Sequence, residues 1–465
     1  MPYTTENNTS IPLIPVSKSN LEDSIKTKSE WVLNWIQNVE FTAEENQSCL
    51  VPDSDGSILM VLVGVNEKVT EEAGLAMWSL STLAKNLPVG QYHLDCDWAE
   101  DKKLEACIGW GLGDYNFDFF KRNFMESKPQ AVLQVEESQL DTINAYVDAF
   151  TLVRDMVNTP PNHMMPEDMS DLTKELAHQH GADFSEVVGD ELIDKEFPAI
   201  HAVGRASEHA PRLLTLTWGD DSHPLLSLVG KGVCFDTGGL NIKPSKFMRN
   251  MKKDMGGAAH VLGLAHLIMS LNLPVKLQVL IPSVDNAISG DAYRPGDIIE
   301  TRAHKTVEID NTDAEGRVVL CDALSFACEH DPDLIIDFAT LTGAARVAVG
   351  TEIPALFSNS DALIAGLQSA SKASGELIWP LPLHHGYRYQ MNSDVADIVN
   401  SSSEGYGGAI TAALYLNDFV DEKVEWAHFD VNAWNTRNRP GRPKGGEAMG
   451  LLAVVEYLQQ RYQQD

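Results

Sequence analysis

"NTDAEGR", residues 311–317, sets two carboxylates and a guanidinium (Asp313, Glu315 and Arg317) at alternate positions. It lies between "TVEID" (306–310), where apolar residues alternate, and "VVLCDALSFACEH" (318–330), where they recur at helical spacing. A strand, a short connection and a helix in that order is a unit of α/β architecture. Read as extended chain, the three side chains share one face. Two carboxylates that close repel, and one protonates unless a cation sits between them. That cation is either Arg317, which makes a solvated ion-pair turn, or a divalent metal, which takes carboxylate oxygens. The motif alone leaves both open.

Working outward, strand-like and helix-like runs alternate along the chain. Residues 1–140 carry "SILMVLVGV" (57–65), "EEAGLAMWSLSTLAKNL" (71–87) and "AVLQV" (131–135), which read as strand, helix and strand of a smaller α/β domain. Helical periodicity over 138–157 stops at "NTPPN" (158–162), where proline cannot continue it, and this linker helix leads into a second domain, 141–465. There "LLSLVG" (225–230), "GAAHVLGLAHLIMSL" (257–271), "VKLQVLIPSV" (275–284) and "DLIIDFATLTG" (333–343) imply a larger α/β domain around a central mixed sheet flanked by helices.

Composition narrows the function. A chain of 465 residues with 43% hydrophobic content supports large cores. A formal net charge of −32 repels phosphate backbones, so nucleic acid is not the expected partner. "ILMVLVGV" (58–65) is too short to span a bilayer, and "MPYTTENNTSIPLIP" lacks the charged and apolar regions of a secretory signal. Six cysteines without a CxxC suit reduced thiols, so the expected location is cytoplasmic. Cys321 and Cys328 fall seven apart in a helical run and read as core; the adjacent His384 and His385 read as structural.

A second unusual segment is "GKGVCFDTGGLNIKPSKFMRNMKKDMGGAAH", 230–260. Lys231 follows a strand directly, Asp236 precedes a Gly-Gly that permits close backbone approach, Lys243 follows, and Asp254 precedes a Gly-Gly that opens a helix. Ligands of α/β sheets bind beyond the carboxyl ends of strands, and both segments fall there. No P-loop, HExxH helix or GxSxG elbow competes with this reading.

These motifs resemble the leucyl aminopeptidase (cytosol aminopeptidase, M17) family. "GKGVCFDTGG", "IKP", "KKDMGGAA" and "NTDAEGR" are similar to its signatures, and "LVRDMVNTPPN", "DFATLTGAARVAVG", "SDVADIVN" and "GGAITAALYL" follow in the family's order over about 152–430. The resemblance implies a dinuclear-metal aminopeptidase hydrolysing N-terminal Leu, Met and similar residues from peptides. It implies Asp236 and Glu315 as bridging ligands, Lys231 and Asp254 completing one site, and Asp313 completing the other. Four carboxylates and an amine suit Zn²⁺, Mn²⁺, Co²⁺ or Mg²⁺. Lys231 binds a metal only as the neutral amine, which requires the ions to push its pKa down. The resemblance makes Lys243 and Arg317 the catalytic pair, Lys243 steadying the oxyanion and Arg317 holding a bicarbonate that shuttles the proton.

By the same resemblance Met251, Thr340 and Gly343 line the pocket for the N-terminal side chain, the enzyme is a homohexamer of two stacked trimers, and peptides are its partners. Residues 1–140, which match no motif, are left an assembly or regulatory role; nucleic-acid binding there is the reading from another class. The chain departs from the family pattern at 430–450, where Gly445-Gly446-Glu447-Ala448 replaces the usual Gly-Ala-Thr-Gly. That leaves a narrower dipeptidase, acting on Cys-Gly-like substrates, as the alternative.

Overall fold

The computed structural model describes residues 2–6, 9–121 and 130–463. Its contacts divide into two units, one of Met1–Thr151 with Arg437–Lys444, the other of Leu152–Thr436 with Gly445–Asp465. The helix Glu137–Asn158 carries the chain from one to the other. Arg437–Lys444 joins the first unit although the sequence reading runs one domain from 141 to the end.

In the first unit six strands form one sheet in the order Tyr3–Thr4, Ala131–Gln134, Gly90–Leu94, Ile11–Val16, Ile58–Gly64, Ser48–Pro52. All neighbours are parallel except the last pair. The run 71–87 is not one helix. It makes two short ones, Leu75–Ser79 and Leu83–Asn86. The Ser79 and Ser81 hydroxyls donate back to the carbonyls of Ala76 and Trp78, a local alternative that competes with helix propagation.

The second unit is built on a nine-stranded mixed sheet. At its centre Leu334–Ala339 runs parallel to Leu225–Gly230 on one side and Glu425–Asp430 on the other. Every residue of Leu334–Ala339 is buried, which is why its sequence is apolar without alternation. Lys276–Asn286 pairs with Leu225–Gly230 and with Gly232–Asp236, both parallel. The helices Gly256–Ser270 and Glu315–Cys328 pack on this sheet, and the apolar side of the latter, with Val318, Leu320 and Leu324, joins a core reaching Tyr415 and Trp426.

Two buried carboxylates fix this scaffold. Asp322, on the helix Glu315–Cys328, accepts hydrogen bonds from the backbone N–H groups of Ala199 (2.8 Å), Ile200 (3.3 Å) and Arg302 (2.9 Å). It ties down the helix that carries the "NTDAEGR" residues. Asp337 accepts from Trp426 Nε1 at 2.7 Å and pairs with His428 Nδ1 at 2.6 Å across adjacent strands. Buried carboxylates without such partners are costly. All six cysteines are free, with Cys321 buried and Cys328 partly so. Among the described residues no helix is long and apolar enough to cross a membrane.

The atypical 430–450 segment is anchored by a buried ion pair. Arg154 Nη2 lies 3.1 Å from Glu447 Oε1, the side chains 0% and 3% exposed, and Asn435 donates to the other oxygen. Replacing one partner strands the other's charge in the interior. Arg154→Met is expected to destabilise the protein by about 3–5 kcal/mol, with partial recovery in Arg154→Met/Glu447→Gln, measured by urea unfolding.

Candidate metal centre

Two adjoining strands and two helix starts converge on one cleft. Lys231 is the single residue between the strands Leu225–Gly230 and Gly232–Asp236, and Asp236 ends the second. Asp254 lies on the 3₁₀ turn Met251–Met255, which leads into the helix Gly256–Ser270. Asp313 sits in the turn before the helix Glu315–Cys328, and Glu315 is that helix's first residue.

The extended reading of "NTDAEGR" therefore fails beyond Asp313. The Asn311 side chain accepts from Asp313 N at 2.9 Å and turns the chain, and glutamate is well suited to a helix N-terminus. Helix positions two apart point about 200° apart, so Arg317 does not share a face with Glu315. It is not the cation between the carboxylates. Lysines fill that role. Lys231 Nζ lies 2.5 Å from Asp254 Oδ2 and 2.8 Å from Glu315 Oε1. Lys243 Nζ lies 2.7 Å from Asp236 Oδ2 and 2.5 Å from Asp313 Oδ1.

Four carboxylates against two ammonium groups leave the cluster negative. Carboxylate oxygens of Asp236, Asp313 and Glu315 lie within 4.8 Å of one another. Glu315 Oε2 is buried without a hydrogen-bond partner. Burial, then the charge of Asp236, holds Glu315 well above the ordinary carboxylate range. Burial and Asp254 push Asp236 up to about 6. Asp254 goes the other way, because Lys231, Lys253 and Lys243 outweigh its burial. Burial opposes the charge on Lys231, but Asp254, Glu315 and Asp236 outweigh it and raise its pKa. On protein charges alone Lys231 is a cation and not a ligand. The neutral amine that the sequence reading requires needs positive charge brought in beside it. An excess of crowded carboxylate, one oxygen of it unpaired, is a donor set that divalent cations fit.

The acids are held rigidly. Asn286 Nδ2 and Gly238 N each donate to Asp236 Oδ1 at 2.8 Å. Thr340 Oγ1 donates to Asp254 Oδ1 at 2.8 Å. Thr312 ties the two signature segments together, its N–H donating to Asn241 Oδ1 and its hydroxyl to Gly238 O. Gly238 has φ +87°, and a Cβ there would meet Asp313 Oδ1 at 2.8 Å, so only glycine fits. Sequence reasoning missed Asn286, Thr312 and Asn241. A buried asparagine ending an apolar strand is the signal that marks the first.

All the residues expected at the site line one cleft of about 410 Å³: the four acids and Lys231 above, Lys243 and Arg317, and Met251, Thr340 and Gly343. Arg317 is 9% exposed, burial lowers its pKa, and its Nε has no partner. Lys253 and Arg346, which no sequence argument singled out, line the same cleft. Burial, then the charge of Arg346, draws Lys253 down to about 7.

Known proteins are similar to this chain along nearly its whole length. The model of the cytosol aminopeptidase family catalytic domain matches residues 151–455, and that of the M17 aminopeptidase N-terminal domain matches 11–135. A probable cytosol aminopeptidase of Rhodococcus opacus is 39% identical over 446 residues, covering 90% of this chain and 86% of its own. The crystal structure of a cytosol aminopeptidase from Coxiella burnetii is 45% identical, covers 99% of both chains and superposes with a TM-score of 0.94. The bottromycin maturation enzyme BotP in complex with Mn is 31% identical, with a TM-score of 0.88 over 98% of this chain and all of its own.

Gly316 tests how tightly Lys231 is set. A Cβ on residue 316 would lie 2.5 Å from Lys231 Cε and 2.8 Å from Nζ, and Lys231 is buried between two carboxylates. Gly316→Ala is expected to lower peptidase kcat/KM about 10²-fold through misplacement of that amine, with the circular dichroism spectrum retained.

Proposed function

The chain belongs to the cytosol aminopeptidase family of metal-dependent peptidases, and from that premise we propose that it removes N-terminal residues from peptides at a two-metal centre. The observation that carries this reading is the cluster of Lys231, Asp236, Asp254, Asp313 and Glu315 at the floor of one cleft. Asp236 and Glu315 would be shared by both ions, with Lys231 and Asp254 on one and Asp313 on the other. When bound, the ions supply Lewis acidity toward the scissile carbonyl and lower the pKa of water. The manganese of the BotP complex makes Mn²⁺ the first ion to test, ahead of Zn²⁺, Co²⁺ and Mg²⁺.

The remaining roles belong to side chains. With two divalent ions held there the four carboxylates are neutralised, and the substrate's α-amine would be oriented inward by the lone pair it offers to the ion-bearing cluster. Lys243, only partly exposed, stays charged because Asp236, Glu315 and Asp254 outweigh the effect of burial. It is placed to meet negative charge developing on the carbonyl oxygen, a contact stronger in the transition state than in the substrate. Arg317 offers a planar guanidinium with Nε unpaired, which suits a planar oxyanion such as bicarbonate and gives the reaction a proton carrier. Met251, a soft apolar wall, favours Leu- and Met-sized side chains.

An N-terminal amine requirement separates this reading from an endopeptidase. Acetylation ties up the amine lone pair that the ion-bearing cluster would recognise. With the Mn²⁺-loaded enzyme, mass spectrometry is expected to show stepwise trimming of a Leu-initiated peptide and no cleavage of its N-acetyl form. Comparable cleavage of the blocked peptide would refute the assignment.

A further inference from the structure

The cleft has a second, cationic side that the proposed reaction does not use. Lys253 is 4% exposed and lines the cleft, yet among the described residues no carboxylate lies within 4.0 Å of its ammonium group. Arg346 lines the same cleft and makes a long side-chain bond, 3.3 Å, from Nη1 to Asn432 Oδ1. Among the described residues no carboxylate lies within 4.0 Å of it either. The contrast with Lys231 and Lys243, each paired with two carboxylates, is sharp. Asp430, the nearby acid, is occupied by Leu341 N, Thr342 N and the Thr342 hydroxyl.

Two basic groups side by side, with no carboxylate between them among the described residues, leave this wall able to take an anion from outside the chain. Their position says what it is. Lys253 shares the Met251–Met255 turn with Met251 and directly precedes Asp254. Arg346 lies one helical turn beyond Gly343, and its Nη2 is 3.5 Å from where a Cβ on Gly343 would sit. Met251 and Gly343 are the walls assigned above to the N-terminal side chain. We propose that Lys253 and Arg346 form a carboxylate-binding end of that pocket, so that the enzyme accepts peptides beginning with glutamate or aspartate. The α-amine then meets the ion-bearing cluster and the side-chain carboxylate the cationic wall at the other end of the same residue. A guanidinium and an ammonium together can satisfy both carboxylate oxygens.

This rests on the aminopeptidase reading, and the test separates the two. The kcat/KM values of the Mn²⁺-loaded enzyme are measured on Glu-Ala-Ala, Gln-Ala-Ala and Leu-Ala-Ala, each as free acid and as C-terminal amide. Glutamate is expected to exceed isosteric glutamine by at least about 10-fold, the penalty of leaving buried donors unpaired. Arg346→Gln and Lys253→Gln are each expected to lower the ratio of the Glu to the Leu value by about 10-fold, and Arg346→Lys to keep most of it. Leucine cleaved with no advantage of glutamate over glutamine overturns the proposal alone. So does a ratio that the variants leave unchanged, or a preference that follows the C-terminal carboxylate, which would place the cations beyond the scissile bond. Cleavage of none of the peptides would overturn the aminopeptidase reading and this proposal with it.

Discussion

The arrangement of the second unit depends on electrostatic crowding. Asp236, Asp254, Asp313 and Glu315 are brought into a cleft where burial disfavours each charge and each charge disfavours its neighbours. Lys231 and Lys243 offset part of this, bridging the acids in two pairs. A fold keeps such a cluster only if the backbone around it cannot relax. The surrounding bonds meet that need: Asn286 and Gly238 on Asp236, Thr340 on Asp254, and the Thr312–Asn241 link between the signature segments.

The rigidity extends below the cleft. Asp322 pins the helix bearing Glu315 and Arg317 to backbone N–H groups from two other segments. The Asp337–His428 pair locks the strands under it. These buried polar contacts contribute position more than net stability, since a buried charge pair roughly offsets its own desolvation. Their consequence for chemistry is that the carboxylates of the cluster are held in place by their neighbours and not left free to relax.

Much of this was legible in the sequence. The apolar strands Ile58–Gly64 and Leu334–Ala339 and the linker helix were readable from periodicity, because burial on both faces or on one stripe leaves a plain apolar pattern. The chemistry was readable because "NTDAEGR" and the 230–260 segment concentrate charge where an ordinary core would not. What was not legible depends on geometry across distant segments. The alternation argument failed at Glu315, where an Asn311 turn starts the helix early, and Arg317 swung to another face. The split of 71–87 came from serine hydroxyls, and that Lys253 and Arg346 have no carboxylate partner among the described residues depends on distant segments that no linear pattern records.

The central claim is that divalent cations replace lysine as the counter-charge of this cluster. Anomalous X-ray scattering from Mn²⁺-loaded crystals measures it most directly. The account predicts two peaks per chain, both within ligand distance of Asp236 and Glu315, with Lys231 and Asp254 on one and Asp313 on the other, and Lys243 withdrawn from Asp236. A single peak, peaks away from these residues, or Lys243 still paired with both Asp236 and Asp313 at full metal occupancy would contradict it.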